Sequence, residues 1–247
     1  MNIKNKKVLV TGGGSGIGFA IAKAFADKGN QVILFGRTED RLKGAAAQLP
    51  NASYIVGDVT SENDVLQLVK QVKENYGSLD ILVNNAGTGR PQPLDASQGI
   101  YETAKFEIEI NYLSVLRLTE LLLPVLKASK EAAIINIQSI VSYVPNTFLA
   151  TYSATKAALH SYSQSLRLVL QQSAPHVKVF EVFPPYVDTD LAKGIEADKL
   201  APSEVADDVI HAVENELYAV RNGKTKDLYQ LFRQSPEEAL KVLNTTE

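Results

Sequence analysis

The sequence predicts an α/β fold: a single doubly wound domain over residues 1–247, with a parallel sheet of six or seven strands and helices on both faces. Three observations predict it. Short runs rich in Val, Ile and Phe alternate with longer segments of helical periodicity, the order that right-handed βαβ crossovers require. The runs are almost continuously apolar, as strands buried on both faces must be. A glycine-dense loop, "TGGGSGIG" at 11–18, joins the first run to the first helical pattern.

In chain order, the strands are expected at 7–11 ("KVLVT"), 31–35, 53–57, 80–85, 133–138 and 177–183, and the helices near 16–29, 38–48, 61–76, 103–129, 150–173 and 203–219. Ser61 reads as an N-cap followed by early acids, with Gly77 as the stop. Ser203 reads as the cap of the last of these helices. Pro124 predicts a kink or break inside 103–129. The polar stretch 221–247 is expected to hold one short strand around Asp227–Leu231.

Composition narrows the function classes. The chain has 247 residues, 45% hydrophobic and 21% charged, enough for one large core. A net charge of −3 argues against a nucleic-acid surface, which needs a Lys/Arg excess. The absence of cysteine excludes disulfides and thiolate chemistry, and the three histidines, His160, His176 and His211, lack ligand spacing, so no metal site is expected. No apolar run approaches the ~20 residues of a membrane span, and the N-terminus is too short in apolar residues for a signal peptide. A cytoplasmic protein without membrane or nucleic-acid partners is the expectation.

In a doubly wound sheet, ligands bind beyond the carboxyl ends of the strands. "TGGGSGIG" lies there, with the spacing Gly12-x-x-x-Gly16-x-Gly18. Glycines let a backbone turn tightly and approach a pyrophosphate, and the following helix N-terminus offers unpaired N–H groups. Either a structural turn or a Rossmann-type dinucleotide site accounts for this loop alone. Ser139 follows the fifth strand, and "YSATK" at 152–156 lies in a helical pattern. Tyr152 and Lys156, four apart, share a helix face, so an ammonium can stand near a phenol whose ordinary pKa of ~10 suits it poorly to acid–base work at neutral pH.

Taken together, these motifs resemble those of the short-chain dehydrogenase/reductase family over essentially the whole chain. "TGGGSGIG" matches the family's TGxxxGxG loop, Asp58-Val59 its adenine-side pair and "NNAG" at 84–87 its motif after strand four. Asn111, Ser139, Tyr152 and Lys156 stand where the family's catalytic tetrad stands. "VFPPYVDT" and the C-terminal "VRNGKTKDLYQLFRQSP" are most similar to a bacterial oxidoreductase branch labelled DltE. One position departs: Pro184-Pro185 replaces the family's Pro-Gly after strand six.

The resemblance implies an NAD(P)-dependent oxidoreductase that moves a hydride between NADP(H) and a carbonyl or alcohol. Tyr152 would exchange the proton, Ser139 would hydrogen-bond the reacting oxygen, Lys156 would lower the Tyr152 pKa and hold the nicotinamide ribose, and Asn111 would hold a water linking Lys156 to solvent. Gly12, Gly14, Ser15, Gly16, Ile17 and Gly18 would cradle the pyrophosphate. Arg37, Asp58 and Val59 would serve the adenosine side, and Asn85, Ala86 and Gly87 the middle of the cofactor. Pro184, Val187 and Thr189 would meet the carboxamide end, beside Tyr152 and Lys156.

NADP(H) is expected to be preferred, with NAD(H) as the second choice. Where an NAD enzyme places an acid for the ribose 2′-hydroxyl, this chain has Gly36 and then Arg37. Glu39 and Asp40 are expected to open the next helix instead. The substrate pocket is expected from 88–100, 141–149 and 184–200, largely apolar through Val141, Tyr143, Val144, Phe148, Phe183 and Tyr186, with Arg90 and Lys193 as the cations within reach. Small residues on the helix at 150–173, Ala154, Ala157, Ala158, Ser161 and Ser165, suggest a homodimer or homotetramer. Two readings compete: a non-catalytic dinucleotide sensor on the same fold, and a non-redox lyase or epimerase.

Overall fold

The computed structural model describes residues 1–95 and 99–245. Seven strands form one sheet, all parallel, in the order β3-β2-β1-β4-β5-β6-β7. They are β1 (Lys7–Thr11), β2 (Gln31–Gly36), β3 (Ala52–Val56), β4 (Ile81–Asn84), β5 (Ala132–Ile137), β6 (Val177–Phe183) and β7 (Ala219–Arg221). The helices α1 (Gly16–Asp27), α2 (Glu39–Ala46) and α7 (Pro202–Asn215) cover one face. On the other lie α3 (Glu62–Tyr76), α5 (Ser114–Lys127) and α6 (Ala150–Ser173). Val8 and Val10 point into the first core and Leu9 into the second, the strict alternation of a strand buried twice. The strand order reverses between β1 and β4, which opens a crevice at their carboxyl ends.

Three expectations are corrected. Pro124 does not break a helix: α5 runs through it to Lys127. Pro124 and Glu120 are both solvent-exposed, so the carbonyl that loses its partner can be hydrated. The irregularity comes earlier, where α4 (Ile100–Ile108) passes into a π-helical turn at Glu109–Leu113 before α5. Ser203 is not a cap. Ala201 precedes the helix, Pro202 opens it with its fixed φ, and the Glu204 carboxylate accepts the Ala201 N–H at 2.7 Å. The segment 227–231 is not a strand but the middle of α8 (Lys224–Gln234), which α9 (Pro236–Asn244) follows. The seventh strand is the short Ala219–Arg221, which is too brief for its pattern to show in the sequence.

Ser61 and Gly77 behave as expected: the Ser61 hydroxyl accepts the Asp64 N–H at 3.3 Å, and Gly77 closes α3 at φ +71°. The two C-terminal helices pack on Ile140, Tyr143 and Val144 through Leu228, Leu231 and Phe232 of α8 and Ala239 and Leu243 of α9. At the end of α9, the Asn244 side chain accepts the Thr147 N–H at 2.7 Å and donates to the Pro145 carbonyl at 2.9 Å. Among the described residues no helix is long and apolar enough to cross a membrane.

Candidate active site

The glycine loop is built on steric exclusion. Gly12 and Gly16 take φ +64° and +54°, backbone that side chains rarely adopt. A Cβ at Gly18 would lie 2.4 Å from both the Gly12 carbonyl oxygen and the Asn85 amide. Ser15 caps α1 in extended conformation with no side-chain hydrogen bond, and no acid stands in the first turn, so the positive helix end is open. Ile17 packs on the core beneath, while Gly14 lies against Arg41. The "NNAG" segment locks this loop to the end of β4. Thr11 Oγ1 accepts the N–H groups of Asn85 and Ala86, each at 3.0 Å, and the Asn85 side chain donates to the Thr11 and Gly12 carbonyls at 2.9 and 3.3 Å. Thr189 stands on the far side of the loop, its Cγ2 3.0 Å from where a Gly16 Cβ would be.

On the adenosine side, Gly36 ends β2 and its carbonyl accepts the Gly57 N–H at 2.9 Å. The Arg37 side chain is 67% exposed, with Nη1 3.8 Å from an Asp58 carboxylate oxygen. Asp58 is fixed in turn: its Oδ1 accepts from the Thr60 N–H and hydroxyl, and its own N–H donates to Asp64. Val59 is buried in the core below. Glu39 and Asp40 do open α2, in its first turn.

Polar residues interrupt the apolar strands at one level of the sheet. Asn84, Asn136 and Glu181 are direct register partners across β4, β5 and β6. The Asn84 amide donates to Asn136 at 2.8 Å, and Asn136 donates to Ser163 on α6 at 2.8 Å. Glu181, 1% exposed, receives Arg167, Gln138 and His160 Nδ1. The stripe Tyr152, Lys156, His160, Ser163 and Arg167, spaced by one helical turn each time, is thus the face α6 turns to this rung. Hydrogen bonds, rather than apolar packing alone, set how deep α6 sits and where its first turns aim.

Those first turns carry the residues expected to form the reaction centre. The Ser139 hydroxyl hydrogen-bonds the Tyr152 phenol, which burial pushes up to about 12 despite that bond; the Glu107 carboxylate adds to the rise. Burial lowers Lys156 to about 8. Its Nζ donates to the Ile137 carbonyl at 2.8 Å and lies 5.6 Å from the Tyr152 ring centroid. The expected depression of the phenol by Lys156 is therefore reversed here, because desolvation outweighs an ammonium engaged elsewhere. Asn111 sits in the π turn, 1% exposed. Its amide accepts the Thr88 N–H at 2.9 Å and donates to the Thr88 carbonyl and Thr155 hydroxyl at 2.8 and 3.0 Å, so its side chain is spent on protein groups. A Cβ on Gly87 would approach Asn111 Oδ1 to 3.3 Å and Lys156 Nζ to 3.7 Å, which shows how closely these groups converge. Pro184 joins the centre through its carbonyl, which accepts the Ile140 N–H at 2.9 Å, and Val187 bridges to Leu200.

The expected pocket lining is only partly upheld. Phe183 is fully buried and stacks on Tyr143 at 4.5 Å between centroids, while Arg221 lies 3.7 Å over Tyr229 in the same cluster. Val144 is packed under the C-terminal helices and Val141 is buried. These side chains were candidates because they are apolar, and the same property takes them into a satellite core. Tyr186 keeps partial exposure and Phe148 is exposed, as are Arg90 and Lys193. Residues 96–98 of the expected lining lie outside the described residues. Glu107, fully buried beside the phenol, was missed; its one signal was a position one helical turn before Asn111.

Comparison with known proteins agrees with this geometry. The family model for short chain dehydrogenases matches residues 6–200. A Bacillus subtilis protein described as the uncharacterized oxidoreductase DltE is 33% identical, with 100% of both chains covered. An uncharacterized oxidoreductase of Staphylococcus epidermidis is 36% identical over 85% of this chain and 92% of its own. Among solved structures, a Burkholderia cenocepacia short chain dehydrogenase in complex with NADP superposes with a TM-score of 0.88 at 28% identity, covering 100% of both chains. A Brucella melitensis 3-ketoacyl-(acyl-carrier-protein) reductase complexed with NADH does so at 0.81 and 26%, covering 89% of this chain and 97% of that one.

Proposed function

The chain belongs to the short-chain dehydrogenase/reductase family, and on that premise we propose that it is an NADP(H)-dependent carbonyl reductase or alcohol dehydrogenase. The observation that carries this reading is the convergence of Ser139, Tyr152 and Lys156 at the carboxyl edge of the sheet, beside a loop that excludes side chains. The residues fit a dinucleotide: a Cβ-free cradle, an open helix N-terminus and, at the end of the neighbouring strand β2, an exposed guanidinium. The cofactor supplies the hydride chemistry when bound.

The protein's part is position and proton transfer. A phenol held near 12 is protonated at neutral pH, which suits donation to a carbonyl oxygen. Ser139 holds that oxygen and steadies its developing charge. Lys156, anchored on Ile137, binds the ribose side and brings positive charge close to the phenol when the site fills. Asn111 keeps the Thr88 loop in place beside them. Arg37 favours a 2′-phosphate, since its nearest carboxylate is 3.8 Å away and its side chain is exposed.

The test is NADPH absorbance against a panel of aldehydes and ketones. Tyr152→Phe should lower kcat by roughly 10²–10⁴-fold and leave NADPH affinity within a few-fold. A variant that keeps most of its kcat would remove Tyr152 as the acid, and binding of NADPH without any turnover across the panel would favour a sensor. We also propose a homo-oligomer through α6, whose outward Ala154, Ala157, Ser161 and Ser165 continue into Leu168 and Val169, 62% and 59% exposed. A monomeric mass by light scattering at micromolar concentration would refute it.

A further inference from the structure

We propose that Glu107 is a positioning residue of the reaction centre: with Asn111 it clamps the Thr88–Arg90 segment against the face of the Tyr152 ring, and its uncompensated carboxylate faces the phenol. The proposal rests on the reading of Tyr152 as the acid. Glu107 lies in the last turn of α4, one turn before Asn111, and both side chains reach the same loop. Asn111 holds Thr88 by its N–H and its carbonyl. Glu107 Oε1 accepts the Arg90 N–H at 2.7 Å. Between these two anchors lies Gly89, where a Cβ would come within 3.1 Å of the Tyr152 ring. The clamp therefore forms one wall of the phenol's slot.

Its second oxygen makes this more than a loop tie. Glu107 is 0% exposed, yet Oε2 has no hydrogen-bond partner. Among the described residues no cation pairs with it; Arg90 turns its guanidinium over the Phe106 ring, 3.9 Å from the centroid. A buried carboxylate so poorly compensated is costly, and a loop tie alone would be met by a neutral amide. The groups facing the phenol are Ser139 at the end of β5, Lys156 one turn along α6 and Glu107 from α4. Lys156 favours the phenolate; Glu107 opposes it. Burial is the main reason the phenol stays protonated, the form that donates to a carbonyl, and Glu107 adds to that rise.

Two replacements separate the parts. Glu107→Gln keeps a carbonyl oxygen for the Arg90 N–H and removes the charge; Glu107→Leu removes both. For Glu107→Leu, kcat should fall about 10- to 100-fold, the scale of a small misplacement, while the NADPH dissociation constant stays within a few-fold. Glu107→Gln should recover most of that loss, and its pH profile for alcohol oxidation should move roughly 0.5–1 unit toward acid. Wild-type kcat in Glu107→Leu, an unmoved profile in Glu107→Gln, or losses that track the folded fraction in thermal melts would overturn the proposal. Tyr152→Phe runs alongside as the separate arm. If it stays active, the acid is misassigned; if it is inactive while both Glu107 variants behave as wild type, only the present proposal fails.

Discussion

On the β1 side of the crevice the surface is backbone: Gly12 and Gly16 turn at positive φ, Gly18 leaves no room for a Cβ, and what matters is which atoms are missing. On the β5–β6 side it is side chain: Ser139, Tyr152 and Lys156 converge where Asn136, Ser163, Glu181 and Arg167 tie α6 to the sheet. A surface of the first kind fails abruptly, since a Cβ either fits or does not. A surface of the second kind is graded, because each polar partner contributes separately and charge can be tuned one group at a time. On the proposed reading, the cofactor end is therefore rigid in what it admits, and the reacting end adjustable in what it does.

The largest effect should come from breaking the backbone side. Gly18→Ala puts a Cβ 2.4 Å from a backbone carbonyl that cannot swing away. Added atoms in such a site cost about 1–3 kcal/mol of stability, and the loop must shift to accept them. The NADPH-induced rise in melting temperature should vanish. A variant that still gains it would show that the loop yields more than its spacing suggests.

On the other side, Asn136→Leu leaves the Asn84 amide without its nearest acceptor and takes from Ser163 the nearer of its two amide donors, leaving only Gln138. Buried groups orphaned in this way cost about 1–3 kcal/mol each. Urea unfolding should record the loss, with kcat falling more than NADPH affinity. Equal losses in both would mean that the rung supports the whole sheet rather than α6.

The pH response sharpens the same contrast, because only the side-chain region titrates. Burial holds Lys156 near 8 against an ordinary 10.5, so between these values the unfolded chain binds the extra proton. Stability should then rise with pH over that interval, by at most ~1.4 kcal/mol per unit. Tyr152, held near 12, acts oppositely above its ordinary 10.0, so the gain should be clearest from 8 to 10. Lys156→Met should flatten it in unfolding curves taken across that range, and an unchanged slope would place the titration elsewhere.

The smallest effect belongs to Arg37, at the exposed edge of the cradle. Arg37→Ala should raise the KM for NADPH roughly 10- to 150-fold, the equivalent of one charged hydrogen bond at about 1.5–3 kcal/mol, and leave that for NADH nearly unchanged. Better kcat/KM with NADH in the wild type would mean that Arg37 serves Asp58 instead.

The contrast also explains what the sequence could tell. The glycine loop, Ser61 and Gly77 were legible because their geometry is local: each requirement is met within a few residues. The seven parallel strands were legible apart from β7, whose three residues are held by pairing to β6 rather than by pattern. The π turn at Asn111 was not, since it depends on Thr88 and Thr155 meeting one amide from distant elements. Glu107 and Glu181 look in sequence like any helix acid and any strand acid. Only the fold shows that both are buried. Polar letters inside "AIINIQ" and "VKVFEVF" were the visible trace of the rung, but their partners lie across the sheet and on α6. Tyr143 and Phe183 were misplaced for a related reason: α8 claims them, and α8 itself was read as a strand.

The grip of Asn244 on Pro145 and Thr147 has a consequence for how the protein comes into being. Its hydrogen bond to Thr147 spans 97 positions, and the ribosome delivers the glycine loop, the polar rung, Tyr152 and Lys156 before it delivers α9. The stretch just after Ser139 is thus the last part of the crevice to be pinned during synthesis. A growing chain acquires the glycine loop and the polar rung before it acquires the helix that pins Pro145 and Thr147.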